Sequence, residues 1–147
     1  MQTVKSALAQ KSGALISVRS SDKVVEALLR MRDNRVRSVL VIDDDKLVGI
    51  ITQGDCAIKV LLPGLDAKQT LVSQVMTANP VTVKPADGLE GCMAMMASRG
   101  FRHLPVLDGG KVVGVISIGD VVKDTIRELE RNVGDLMGYI MHDGPGG

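Results

Sequence analysis

The chain contains one stretch twice. Gly49-Ile50-Ile51-Thr52-Gln53-Gly54-Asp55 returns 65 residues later as Gly114-Val115-Ile116-Ser117-Ile118-Gly119-Asp120. The same offset holds upstream without a gap. Val18 answers to Val83, Asp22 to Asp87, Met31 to Met96, Arg37 to Arg102, Val41 to Val106, Asp43 to Asp108 and Lys46 to Lys111. An ungapped internal match of this length means one supersecondary unit used twice.

Each copy reads as β-α-β-β-α. In the first, Leu15 to Val18 is a short apolar strand, and Ser21-Asp22 offers an N-cap for the helix that follows. Val24, Leu28 and Met31 fall at i, i+4 and i+7, with Val25 and Leu29 widening the same face, and Asn34-Arg35 ends the helix. Ser38–Ile42 and Leu47–Ile51 are apolar runs joined by Asp43-Asp44-Asp45-Lys46, a hairpin signature. The runs are continuous rather than alternating, so both faces of these strands are expected to be covered. Gly54 then opens a helix reaching about Leu61.

The second copy follows the same order: strand Val81–Val83, helix Asp87–Ser98, strand Arg102–Leu107, strand Val112–Ser117 and a helix from Gly119. Pro105 stands where the first copy has Leu40, and a proline nitrogen has no hydrogen to give a neighbouring strand. Short helical segments precede both copies, Val4–Gln10 and Leu71–Met76. The organisation expected is repeat 1 over 1–62, a linker over 63–70 carrying Pro63-Gly64, repeat 2 over 71–133, and a C-terminal extension with a flexible tail over 134–147. In the last helix Val122, Ile126, Leu129, Val133, Leu136 and Ile140 alternate steps of four and three, a heptad-like seam. That seam suits a dimer or a contact with the chain's own N-terminal helix.

Composition narrows the function. With 147 residues the chain can bury a real core, but one Phe, one Tyr and no Trp leave Val, Ile, Leu and Met to fill it. The net charge of +1 gives no general attraction to nucleic acid or anionic lipid. Neither a secretory leader nor an apolar run long enough to span a bilayer is visible, so a cytoplasmic protein is expected. Cys56 and Cys92 occupy unrelated repeat positions and form no C-x-x-C, which argues for buried, reduced thiols rather than a metal or disulfide framework. No phosphate loop, dinucleotide fingerprint, nucleophile set or cluster of metal ligands occurs, so neither a catalytic residue nor a metal is expected.

The residues with chemical promise sit at the two repeated corners. Thr52-x-x-Asp55 and Ser117-x-x-Asp120 have the spacing of a capping box. Each also lies where a strand turns through glycine into a helix, a place where backbone N–H groups favour anions. A hydroxyl there can bond phosphate, and a carboxylate can accept from a sugar diol. Arg35 and Arg37, and Arg102 with His103 one repeat later, stand just before the following strands and are suited to phosphate contact.

These features resemble a tandem pair of cystathionine-β-synthase (CBS) domains. The resemblance is carried by Met76-Thr77-Ala78-Asn79-Pro80-Val81-Thr82-Val83, Arg102-His103-Leu104-Pro105-Val106 and Gly114–Asp120, with the first repeat matching more loosely. It implies an α/β (α+β) module in which two β-α-β-β-α units pack through their sheets with pseudo-twofold symmetry and leave two clefts for adenosine nucleotides. It also implies the sites. Ser117 and Asp120 would hold ribose and phosphate in one cleft, with Ile16, Val36 and Arg37. Thr52 and Asp55 would serve the other, with Val81, Phe101, Arg102 and His103, while Ile50 and Val115 would flank the adenine.

The expectation is therefore a stand-alone regulatory sensor for AMP, ADP, ATP or NAD. It would work as a homodimer on a separate protein partner, without nucleic acid, membrane or metal. Two rivals stand beside it: a structural dimerising protein with empty clefts, and an enzyme (a nucleotide hydrolase or a thiol-dependent redox protein) drawing on His103, Cys56 or Cys92.

Overall fold

The computed structural model describes residues 2–11 and 14–143, with side chains described as far as residue 137. In the first repeat β1 (Ser17–Val18), α2 (Val24–Asn34), β2 (Ser38–Asp43), β3 (Lys46–Thr52) and α3 (Gln53–Cys56) follow the expected order, preceded by α1 (Val4–Ala9). β1 runs parallel to β2, β2 antiparallel to β3, and a two-residue strand β4 (Thr77–Ala78) adds antiparallel to β3. In the second repeat α4 (Leu89–Arg99), β5 (His103–Asp108), β6 (Lys111–Ser117) and α5 (Ile118–Asp143) build a two-stranded antiparallel sheet with flanking helices. The two sheets meet through β3 and β6.

The expected strand Val81–Val83 is reduced to one parallel bridge between Val83 and Val106. The cause is Pro105. In the first repeat the Leu40 N–H reaches the Ile16 carbonyl at 3.3 Å and continues the ladder. Its equivalent in the second repeat has no hydrogen to offer, so only the bonds from Val83 to Pro105 and from Leu107 to Val83 survive.

Ser21-Asp22 does not cap α2. Lys23 takes the N-cap position without a side-chain bond, and the Asp22 carboxylate turns back to accept from the Arg19 N–H at 2.9 Å. Asp87 does the same with Lys84 at 2.8 Å, so the repeated aspartate closes the turn before the helix. The helix after β3 starts at Gln53 and widens to a π-helix over Ala57–Leu61.

Each core is completed by a segment from the other half of the sequence. Val4 and Ala7 of α1 are buried with Leu89, Cys92, Met96, Leu104, Val106, Ile116 and Val121 of the second repeat. Val72 and Val75, from a single 3-10 turn, are buried with Val18, Ala27, Met31, Val39, Val41, Ile51 and Val60 of the first. Each core thus draws buried residues from both halves of the sequence. α5 continues to Asp143.

The long last helix turns one face inward. Val121 and Asp124 are buried, with Asp124 under α1, while Val122, Ile126, Leu129, Val133 and Leu136 are exposed. The heptad seam is therefore not covered by the N-terminal helix. The side chain of Ile140 and residues Gly144–Gly147 lie outside the described residues. Among the described residues, no helix is long and apolar enough to cross a membrane.

Candidate functional site

Two clefts lie where the repeats meet. The first, about 730 Å³, is walled by Ile50, Thr52 and Asp55 from the β3–α3 corner, Val81 and Pro80 from the crossing segment, and Phe101, Arg102 and His103 from the start of β5. Arg37 also reaches it. The second, about 740 Å³, gathers Val115, Ser117 and Asp120 from the β6–α5 corner with Val36 and Arg37 from the exit of α2. Arg37, Arg102 and His103 line both.

The sequence-derived residues thus fall together, with one exception. Ile16 lines neither cleft; it packs against the first core, and its carbonyl is taken by the Leu40 N–H. Val81, its repeat equivalent, faces the first cleft because the bond that would draw it into a sheet is missing.

At each corner the capping box forms. The Thr52 hydroxyl accepts from the Asp55 N–H and the Asp55 carboxylate from the Thr52 N–H, both at 3.0 Å. The second corner repeats the exchange, Ser117 N–H to Asp120 at 2.8 Å and Asp120 N–H to Ser117 at 3.2 Å. The reciprocal bonds hold hydroxyl and carboxylate side by side at the mouth of a helix N-terminus. The adjacent cations are anchored too. Gln53 N–H bonds the Arg37 carbonyl at 3.1 Å and Ile118 N–H the Arg102 carbonyl at 2.9 Å, and both residues line the two clefts.

Lysines that the sequence reading did not single out attend each acid. Lys59 stands 3.3 Å from Asp55 but gives its hydrogen bond to the Val75 carbonyl at 3.0 Å. Lys11 bonds Asp120 at 2.9 Å and the Val115 carbonyl at 2.8 Å. Burial alone would raise the Asp120 carboxyl, but the Lys11 bond and charge and the Ser117 N–H outweigh it and hold the pKa below the usual carboxylate value. Burial lowers the His103 pKa, with Asp120 opposing and Lys11, Arg37 and Arg102 reinforcing, so the ring is neutral at neutral pH.

Both thiols are free and buried. Burial, then the charge of Asp55, pushes Cys56 up to about 11, and burial likewise raises Cys92. Such thiols are poor nucleophiles, which disfavours thiol-dependent chemistry. Among the described residues no cluster of three metal-ligating side chains occurs.

The CBS domain family model matches residues 11–61 and 72–126. The chain belongs to the CBS-domain family. A curated relative, the CBS domain-containing protein CBSCBSPB5 of Arabidopsis thaliana, is 37% identical over 119 residues, 80% of this chain and 22% of that protein. The chain thus spans about a fifth of the length of such relatives.

Among solved structures, a CBS-domain protein from Burkholderia ambifaria MC40-6 superposes with a TM-score of 0.82 at 40% identity, covering 86% of this chain and 95% of its own. CBSX2 in complex with AMP superposes with a TM-score of 0.71 at 25% identity, covering 86% and 98%. The tandem CBS architecture is therefore the fold, and its mixed α and β repeats are those of the family.

Proposed function

We propose that this CBS module is a regulatory sensor that holds an adenosine nucleotide in the first cleft and acts on a separate protein partner. The carrying observation is the convergence there of a capped Thr52/Asp55 corner, the apolar walls Ile50, Val81 and Phe101, and two guanidiniums. A volume of about 730 Å³ is in the range of small-molecule sites. The AMP complex of the similar CBSX2 supports the same ligand class. Asp55 takes the sugar diol, Arg37 and Arg102 the phosphate, and Phe101 with Val81 and Ile50 the base. Regulation follows if the nucleotide favours one arrangement of the two repeats, since only differential affinity can shift an equilibrium.

Calorimetry with AMP, ATP and NAD tests this and selects the nucleotide. Asp55→Ala and Arg102→Ala should each weaken binding by about tenfold or more, the worth of one charge-assisted hydrogen bond. Unchanged affinity in both variants removes the reading.

A second reading, a dimerising protein with empty clefts, is favoured by the exposed apolar stripe Val122, Ile126, Leu129, Val133 on α5. The two are compatible as a homodimeric sensor. Light scattering on Ile126→Glu/Leu129→Glu, set against the same calorimetry, separates them: loss of the dimer with intact binding leaves the sensor.

A further inference from the structure

We propose that α5 pairs with α5 of a second copy as a parallel, in-register, two-stranded coiled coil, with the two modules on its outer sides. The pairing rests on the dimerising reading above and deepens it by fixing the direction, the register and the number of strands.

The helix is longer than its repeat needs. The corresponding helix of the first repeat stops at Leu61, the offset equivalent of Ile126, whereas α5 runs on to Asp143. The first repeat buries its core without any such extension. From Leu129 to Met137 every residue of α5 is exposed, and Leu129, Val133 and Leu136 are each more than half exposed. A helical segment of that length without cover is marginal in water, because most helical stability comes from packing an apolar face. The extension therefore calls for a partner from outside its own module.

The order of side chains along the seam selects that partner. With Ile126 and Val133 at a, the d positions are Val122, Leu129 and Leu136. β-branched residues at a with leucine at d favour two parallel strands. The charges agree. Arg127, Glu128, Arg131 and Asp135 fall at b, c and f, away from the seam, and g carries the neutral Thr125 and Asn132. In a parallel pair each e position faces a g position of the other helix. Glu130 thus meets a threonine, and two identical helices approach without like charges opposed. Between Ile118 and Met137 carboxylates outnumber cations, which disfavours an anionic bilayer as the occupant of the same face.

The modules leave room for the pairing. Val121 and Asp124 are buried against their own module, and they fall at c and f, on the side of the helix turned away from the seam. Two copies can close the seam with each module facing outward.

The test uses the full chain with one cysteine added at a time, Cys56 and Cys92 being buried. Leu129→Cys and Leu136→Cys stand at d, about 10 Å apart along the helix, and Arg131→Cys stands at f. All three positions are exposed, so the module should fold in each variant. Light scattering of the parent should give twice the mass of one chain. Under glutathione disulfide, both d variants should form the inter-chain disulfide at least about tenfold faster than Arg131→Cys on a non-reducing gel, since only facing sulfurs meet the geometry of the bond.

A parent that stays monomeric at about 100 μM overturns the pairing and the dimerising reading together. A mass above two chains overturns the two-stranded seam. A dimer in which neither d variant outpaces Arg131→Cys, or only one does, overturns the parallel register and leaves the dimer itself standing. AMP calorimetry on the same samples reads the first cleft separately from all of these.

Discussion

Lys59 and Asp124 occupy the same position in the two repeats, carry opposite charges, and serve the same purpose. Lys59 donates at 3.0 Å to the carbonyl of Val75, which belongs to the segment lent to the first core. Asp124 accepts from Ser6 at 3.3 Å and Gln2 at 3.0 Å, on and beside the helix lent to the second core. Each ties an exchanged segment to the helix it lies against. The charge differs because the partner differs, a carbonyl in one case and donors in the other.

Asp124 is 8% exposed, so its loss should be felt. Asp124→Ala is expected to lower stability by about 2–3 kcal/mol, the range for hydrogen bonds to a buried charged group. Lys59→Met, at a largely solvated site, should cost less than about 1 kcal/mol. Urea unfolding of both variants checks the order, and equal losses would refute it.

The capping hydroxyl of Thr52 is assigned two tasks that substitution can separate. Thr52→Ala should lose about 1 kcal/mol of stability, the usual worth of an N-cap. It should also weaken AMP binding. Thr52→Ser keeps the oxygen and, as Ser117 does in the second repeat, should preserve both. A serine variant that binds but is as unstable as alanine would contradict the cap.

Much of this was legible because the repeat was. The 65-residue offset located both corners, the two hairpins and the arginines at the strand entrances. Two features were not readable from local pattern. The lending of α1 and of the 72–76 turn to the opposite cores is a tertiary choice, invisible in helical periodicity. Ile16 and Val81 look alike in sequence, yet the Leu40 N–H holds the Ile16 carbonyl beside the sheet, while Pro105 has no N–H to hold Val81, which lines the cleft. The signal was in hand, since Pro105 stood out.

His103 gives a pH dependence with a definite sign. Its folded pKa lies below the unfolded 6.5, chiefly through burial, so the unfolded chain binds the proton more readily. Stability from this group is present above 6.5 and is lost as pH falls through the folded pKa. His103→Gln should flatten that part of the stability curve. A phosphate bound beside the ring should raise its pKa, seen as a shift of the His103 C–H titration by NMR on adding AMP. A downward shift would contradict a phosphate placed near Arg102.

Neither thiol should report on the native surface. With Cys56 pushed up to about 11 and both sulfurs buried, an aromatic disulfide reagent at neutral pH should modify neither in the folded chain and both after denaturation. Fast labelling of either in the native protein would reopen the thiol chemistry that the fold argues against.

The two strand glycines make the sharpest comparison, because sequence treats them as one position. A Cβ on Gly49 would stand 2.6 Å from the Met76 sulfur and 2.9 Å from the Thr77 carbonyl oxygen. The carbonyl belongs to β4, which pairs with β3 at this point, so it cannot yield without breaking that pairing. A Cβ on Gly114 would meet only a terminal methyl of Leu8 at 2.9 Å, the end of a side chain that can turn aside. Gly49→Ala should therefore cost about 2–3 kcal/mol, as overpacking against fixed atoms does, and Gly114→Ala less than about 1 kcal/mol. Thermal and urea unfolding of the pair decide it. If both alanines are tolerated alike, β4 is not held against β3 as described, and the crossing segment that carries Pro80 and Val81 into the first cleft loses its support.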